Sequence, residues 1–390
     1  MPTPRIAYLA RGQLYFKNGD LAAHPIESHF GQDIINRTLQ RQQRNEWKTQ
    51  GASTPFSGNM LWGKEQEDPR RLQVAISAVA RAPQEGELLY TLETDRVGGL
   101  FTYNWTTDEE KRLFHREALH FRDLTLHPDL KLIAGSLHFP NGTANLGLVQ
   151  NQNLQPITEG DSVDEAPSWI PGDGKRLLYQ SAGIARNPQG YALGLGPFGL
   201  HQLNLDGGAL AILLEDPKND LMSPRMSEEG ALYFIRRPYE VLGRKPVPLL
   251  GVIADVLLFP LRLLRAFFYF FNFLSLTFAR KPLTTSGGPR VAGDDEKTLL
   301  LRGRVIDAEK AMREGASAEA PALVPPSWEL VRRTTSGEEQ VLARSVVAYD
   351  FDGAGGVIYT NGTAVYQLGC DGQSRLLFKA KLLEDLIVIP

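Results

Sequence analysis

Short apolar runs, alternating or continuous, recur along the chain and are separated by Pro, Asp, Gly and Ser. This texture predicts β-strands joined by tight turns. The clearest instance is 163–181. Pro167 and Trp169 lie in an extended run, 171–174 carries turn residues, and Leu177 to Tyr179 begins a second strand. A single hairpin of this kind is marginal in water, so the pattern has to recur. Copies stand at 127–136 and 224–234, and weaker ones at 84–90, at 352–359 and near the N-terminus.

The first apolar residue after each turn gives six anchors: Ile6, Leu88, Leu132, Leu177, Leu232 and Val357. The three intervals from Leu88 to Leu232 are 44, 45 and 55 positions, close to the roughly 40 to 45 residues of a four-stranded propeller blade. The intervals of 82 and 125 positions on either side are too long, and each predicts an insertion. Going from Val357 past the C-terminus to Ile6 covers 39 positions, again one blade. That spacing predicts a first blade shared by both chain ends, with a strand at 386–389 beside one at 5–9, so that no sheet edge is left open.

The run Pro167-Ser168-Trp169-Ile170-Pro171-Gly172-Asp173-Gly174-Lys175, followed by Leu203 to Gly208, resembles the repeat of TolB-like six-bladed β-propellers, which are similar to tryptophan-aspartate repeat propellers. The chain departs from that repeat in the extra Gly172 and in Leu130, where glycine is usual. The expected fold is all-β: a six-bladed β-propeller closed by N- and C-terminal strands, with helical insertions. Residues 1–238 would hold blades one to part of five, 239–326 an insertion, and 327–390 the rest of blade five, blade six and the closing strand.

The first excursion, at about 28–50, has helical periodicity, with Ser28 or Asp33 to start it and Ile34, Ile35 and Leu39 as its apolar face. Arg37, Arg41, Arg44 and Lys48 fall in one stripe. They form either a solvated surface or a contact for anionic lipid or an acidic partner. The second excursion is the most unusual text in the chain. From 247 to 279 it is apolar apart from Asp255, Arg262, Arg265 and a few uncharged polar residues. Pro260 suits a first helical turn, and Asp255, Arg262, Arg265, Tyr269 and Asn272 share one narrow polar sector.

The uncharged run 266–279 is 14 residues, short of the ~20 that cross a bilayer. Both ends of the insertion must also return to one blade, which excludes a single crossing. The segment 247–281 therefore suits an amphipathic helix or shallow re-entrant pair lying in the membrane interface. Leu257, Phe259, Phe267, Phe268, Phe270, Phe271, Phe273 and Leu274 would meet the apolar phase, with Arg262, Arg265, Arg280 and Lys281 at anionic headgroups. Docking on a partner protein, contact between copies of the chain, and packing on the propeller itself are the alternatives.

Composition narrows the function. Hydrophobic residues at 42% and charged residues at 22% describe an ordinary globular chain. A net charge of −3 disfavours nucleic acid as a partner. The single cysteine, Cys370, permits no intrachain disulfide. The opening 1–5 has no apolar signal core, which points to the cytoplasm. No Gly-x-Ser-x-Gly elbow occurs, and 160–164 fails at its last position. His115, His120 and His127 match no ligand spacing. The run 350–353 lacks the later acids of a calcium loop and reads as a blade turn. Asp164, Glu165 and 108–110 read as surface turns, or alternatively as acids at the ring's mouth.

The expectation is a non-enzymatic interaction scaffold with no catalytic residues, no cofactor and no metal. It would take an unknown protein partner and sit peripherally on the inner face of a membrane. The competing expectations are an enzyme or small-ligand binder using the central funnel, and a soluble subunit that docks a partner through its apolar insertion.

Overall fold

The computed structural model describes residues 4–49, 74–94, 97–172, 174–240, 298–301, 304–307, 311, 313, 320–353, 355–369 and 372–389. Nearly all of them are in strands and turns. Sheet one is ordered Leu383–Ile389, Arg5–Ala10, Gln13–Lys17, His24–Ile26. Its pairing runs from Arg5 opposite Ile389 to Ala10 opposite Leu383, so the C-terminal strand does lie beside the N-terminal one. Sheet two is Ala75–Arg81, Glu87–Glu93, Val97–Asn104, Glu109–Glu117.

A nine-stranded sheet follows. It consists of two four-stranded units joined by a single parallel pair, Ala144 opposite Val163. Unit three is Phe121–Leu126, Ile133–His138, Ala144–Gln150, Asn153–Pro156, and unit four is Ser162–Trp169, Arg176–Arg186, Gly199–Asn204, Ala209–Leu214. The short strand Ala192–Leu195 extends unit four. Sheet five is Asn219–Met226, Leu232–Pro238, Glu329–Arg333, Glu339–Arg344, and sheet six is Ala348–Phe351, Val357–Thr360, Ala364–Leu368, Ser374–Lys379.

Each of the six anchors lies in the second strand of its unit or, for Leu132, one residue before it. The reason is local. Except in sheet one, where they are the two chain ends, the first two strands of a unit are joined by a short turn rich in Gly, Asp and Pro, and the second strand is buried on both faces and reads as an unbroken apolar run. In Arg5–Ala10, Ile6 and Tyr8 pack against sheet six, while Ala7 and Leu9 pack against sheet two. The same division continues around the molecule. Apolar clusters fill the spaces between sheets two and three, three and four, four and five, and five and six.

The inner strands depart from regular pairing. Register shifts fall at Ile76/Ala78, Arg122/Thr125, Glu165/Ser168 and Met222/Arg225. In the last three a non-glycine residue adopts a left-handed backbone: Asp123 at φ 49°, Ala166 at φ 51° and Ser223 at φ 51°. Such bulges bend a strand and re-aim its side chains. The strained residue occupies the same place in three consecutive units, and nothing in the apolar pattern announces it.

The outer strand of sheet one is short, His24–Ile26, because 18–21 closes a turn in which the Leu21 amide donates to the Asn18 carbonyl. Unit five begins at Asn219, and Pro224 falls at its bulge. One expectation needs correcting. Asp164 and Glu165 are not surface turns. They lie in the inner strand of unit four, where buried Asp164 accepts from Ser181 Oγ at 2.7 Å and Glu165 accepts from Gln180 Nε2 at 3.1 Å.

Helix His29–Thr49 follows sheet one, with Ser28 as its cap: Ser28 Oγ accepts from the Gly31 amide at 3.1 Å. Glu110, on the outer strand of sheet two, accepts from Ser28 Oγ, from the Phe30 amide and from Tyr90 Oη, and so fixes the helix start. At the other excursion, Arg237 Nε donates to Asp220 Oδ2 at 2.9 Å and its guanidinium lies 4.8 Å from the Trp328 ring centroid. This buried pair clamps the place where strand Leu232–Pro238 ends and where Trp328 leads into its neighbour Glu329–Arg333. Between them, Thr298–Leu301 and Arg304–Asp307 form a separate hairpin.

Candidate functional site

The C-terminal ends of the inner strands and the turns that follow them line a cavity of about 890 Å³. Its wall mixes aromatic and charged side chains, including Trp105, Trp169, Tyr233 and Phe351 with Arg81 and Arg225. Most of the lining comes from one topological position, the end of the inner strand and the turn after it, while Trp105 follows the third strand of sheet two and Tyr233 lies in the second strand of sheet five. This concentration of unlike side chains from distant parts of the sequence is typical of binding sites, which sit where a rigid scaffold presents its loops.

The electrostatic centre of the cavity is Asp350. Its carboxylate accepts from Arg81 Nη2 at 3.1 Å, Arg225 Nη1 at 3.0 Å, the Val388 amide at 2.8 Å and the Phe351 amide at 2.9 Å. Arg81 also donates through Nε to the Val388 carbonyl at 2.8 Å. Arg225 lies over the Tyr349 ring, and Tyr349 Oη donates to the Ser223 carbonyl at 2.7 Å. Asp350 is thus a buried strand residue and not part of the blade turn expected at 350–353. That turn begins at Asp352, whose Oδ1 accepts from the Gly356 amide.

Trp169, the aromatic of the sequence signature, is buried at the edge of this cavity. His127 of unit three packs edge-on against it at 4.8 Å, and the other face of the contact is fixed by His127 Nε2 at 2.7 Å from the Gly174 carbonyl. His127 therefore serves as a tie between units three and four.

A second polar group lies toward the opposite ends of the inner strands. Glu93 accepts from Arg122 Nε at 3.1 Å and Nη2 at 2.9 Å, and from Ser77 Oγ at 2.8 Å, with His120 Nδ1 at 3.1 Å. Burial acts to raise the Glu93 carboxyl, but the Arg122 fork together with His120 and Ser77 outweighs it and holds the group below the ordinary carboxylate range. His138 is pushed down by burial and faces Glu165 Oε1 at 3.8 Å. Among the described residues, no group of three or more His, Cys, Asp or Glu side chains is placed to hold a metal ion.

Of the residues that sequence reasoning singled out, Arg37 is exposed and pairs with Asp33 at 3.8 Å. The side chains of Arg41, Arg44 and Lys48, and all of the apolar segment 247–281, lie outside the described residues. Among the described residues, no helix is long and apolar enough to cross a membrane. Sequence reasoning missed Arg81, Arg225, Glu93 and Arg122, and it took Asp350 for part of a turn. Arg81, Arg122, Arg225 and Asp350 lie in the inner strands of their units and Glu93 ends the second strand of sheet two, and no shared sequence pattern marks them.

A mostly-β chain of repeated four-stranded sheets with a cavity at one end of its inner strands has the character of a β-propeller, and the likeness to one solved structure supports that class of fold. TolB from Acinetobacter baumannii matches with a TM-score of 0.51 and 12% identity over 99% of this chain and 67% of that one. A putative TolB from Agrobacterium tumefaciens matches at 0.44 with 13% identity, over 81% and 91% of the two chains. The tricorn protease matches at 0.46 with 9% identity, this chain spanning only 34% of it. At such identities the likeness to TolB is one of fold alone. No family model matches the chain, and no curated protein does.

Because the folded pKa of Glu93 is depressed, its contribution to stability is present above the unfolded carboxylate value of about 4.3 and is lost as pH falls through the folded value. Urea denaturation from pH 7 to pH 3 should show a shallower acid loss for Glu93→Gln than for the native chain, with lower stability at pH 7. Parallel pH profiles for the two proteins would show that Glu93 is not held ionised by Arg122.

Proposed function

We propose that the chain is a six-bladed, TolB-like β-propeller that works as a non-enzymatic protein-interaction scaffold and receives a partner at the mouth of its central funnel. The observation that carries this reading is the 890 Å³ cavity formed by all six inner-strand ends. Arg81 and Arg225 are engaged by Asp350 there, whereas Glu85, Glu87, Glu228 and Glu229 stand along the rim. An acidic rim around a wall that includes the half-buried Trp105 and Phe351 favours a partner segment that carries basic side chains.

The same proposal places the scaffold on the cytoplasmic face of a membrane, held there by 247–281. Its support is the sequence: an aromatic run too short to cross a bilayer, flanked by Arg244, Lys245, Arg280 and Lys281.

Photo-crosslinking residues placed at Gln84 or Glu228 should give discrete protein adducts in cells, whereas one at Val341 on an outer strand should not. Adducts from Val341 alone would contradict the funnel reading. For the membrane, the purified chain should float with liposomes containing anionic lipid, and the double variant Phe267→Asp, Phe270→Asp should stay at the bottom of the gradient. Equal flotation of the two would remove the anchoring role from this segment.

A further inference from the structure

Six strands form the outer edges of the six units, and an outer edge offers unpaired backbone groups to any strand that approaches. Five of the six carry the usual protection. His24–Ile26 and Asn153–Pro156 are short and contain proline. Glu109–Glu117, Glu339–Arg344 and Ser374–Lys379 carry Glu, Lys or Arg. The outer strand of unit four, Ala209–Leu214, reads Ala-Leu-Ala-Ile-Leu-Leu and has neither. Leu210 is 55% exposed, Ile212 57% and Leu213 38%. On the extension of the same unit, Tyr191 is 72% exposed and Leu193 66%. Most of the large apolar side chains exposed among the described residues therefore sit on unit four.

We propose that this edge pairs with the same edge of a second copy of the chain, antiparallel across a two-fold axis. A two-fold interface has to be self-complementary, and Ala209–Leu214 brings no charge opposite a like charge when paired with itself. Glu109–Glu117 would do so in any register close to symmetric. The ends of the strand select the orientation. At its turn end Lys175 Nζ lies 3.0 Å from Asp206 Oδ1, and just past its other end stand Glu215 and Asp216. Antiparallel pairing sets the Lys175–Asp206 pair of one copy near the two carboxylates of the other, whereas parallel pairing sets the carboxylates against themselves. The register shift between Leu200 and His201 leaves Leu213 out of the regular ladder, so Ala209 to Ile212 is the stretch that can add a strand. This inference is independent of both the funnel and the membrane segment.

Sedimentation velocity of the full chain at micromolar concentration tests it. The native protein should sediment as a dimer. Ile212→Lys should shift it to a monomer with unchanged circular dichroism, while Val341→Lys on the outer strand of unit five should leave the dimer intact. Should Ile212→Lys fail to fold, Ala211→Cys in a Cys370→Ser background decides: near the axis, it should form an interchain disulfide under mild oxidation. A monomeric native protein, a dimer that survives Ile212→Lys, or no crosslink at 211 would overturn the proposal. A dimer lost only in Phe267→Asp, Phe270→Asp would overturn it as well, since the copies would then meet through 247–281.

Discussion

Asp350 lies at the inner edge of sheet six with 4% of its side chain exposed, and its partners come from three other units. Arg81 ends the inner strand of sheet two, Arg225 stands near the end of that of unit five, and the Val388 amide belongs to the closing strand of sheet one. A buried carboxylate is costly unless charged and hydrogen-bonding partners surround it. Here none of the charged partners is supplied by its own sheet, so the cost of burying it is offset only when the units are assembled. Units two, three, four and six are each built from contiguous sequence, but Asp350 couples its own stability to the arrangement of several units.

The terminal strands act in the same direction. Leu383–Ile389 pairs with Arg5–Ala10 across almost the full length of the chain, and the Asp350 network grips that strand at Val388 from the adjacent sheet. Apolar packing is shared between neighbours, because the alternate faces of Arg5–Ala10 fill two different intersheet cores. The cavity is a consequence of this arrangement. Part of its lining, Asp350 with Arg81 and Arg225, is the network that holds the sheets, whereas Glu85, Glu228 and Glu229 on the turns stand outside that network.

Much of the fold could be read from the chain because the repeat unit is local. A turn of Gly, Asp and Pro followed by a doubly buried strand recurs in units two to six, and the anchors at Ile6, Leu88, Leu132, Leu177, Leu232 and Val357 mark one topological position. The wrap-around spacing of 39 residues placed the closing strand for the same reason. The site was far less legible. Asp350 stands in Asp-Phe-Asp-Gly, text that looks like a turn, and its arginines lie 269 and 125 residues away. Left-handed residues at Asp123, Ala166 and Ser223 carry no glycine to signal them. Asp164 and Glu165 looked like turn acids because a bulge displaces Ala166 and Pro167 from the strand's alternation. Edge protection, by contrast, was written plainly in composition, but it can be compared only once the outer strands are known.

Equilibrium urea denaturation of Asp350→Asn tests the central claim most directly, since the substitution keeps shape and removes the charge. If Asp350 holds the units together, the variant should lose about 3 kcal/mol, with a single transition shifted to lower urea at neutral pH. A change within about 0.5 kcal/mol, the usual range for an ordinary surface substitution, would contradict the account.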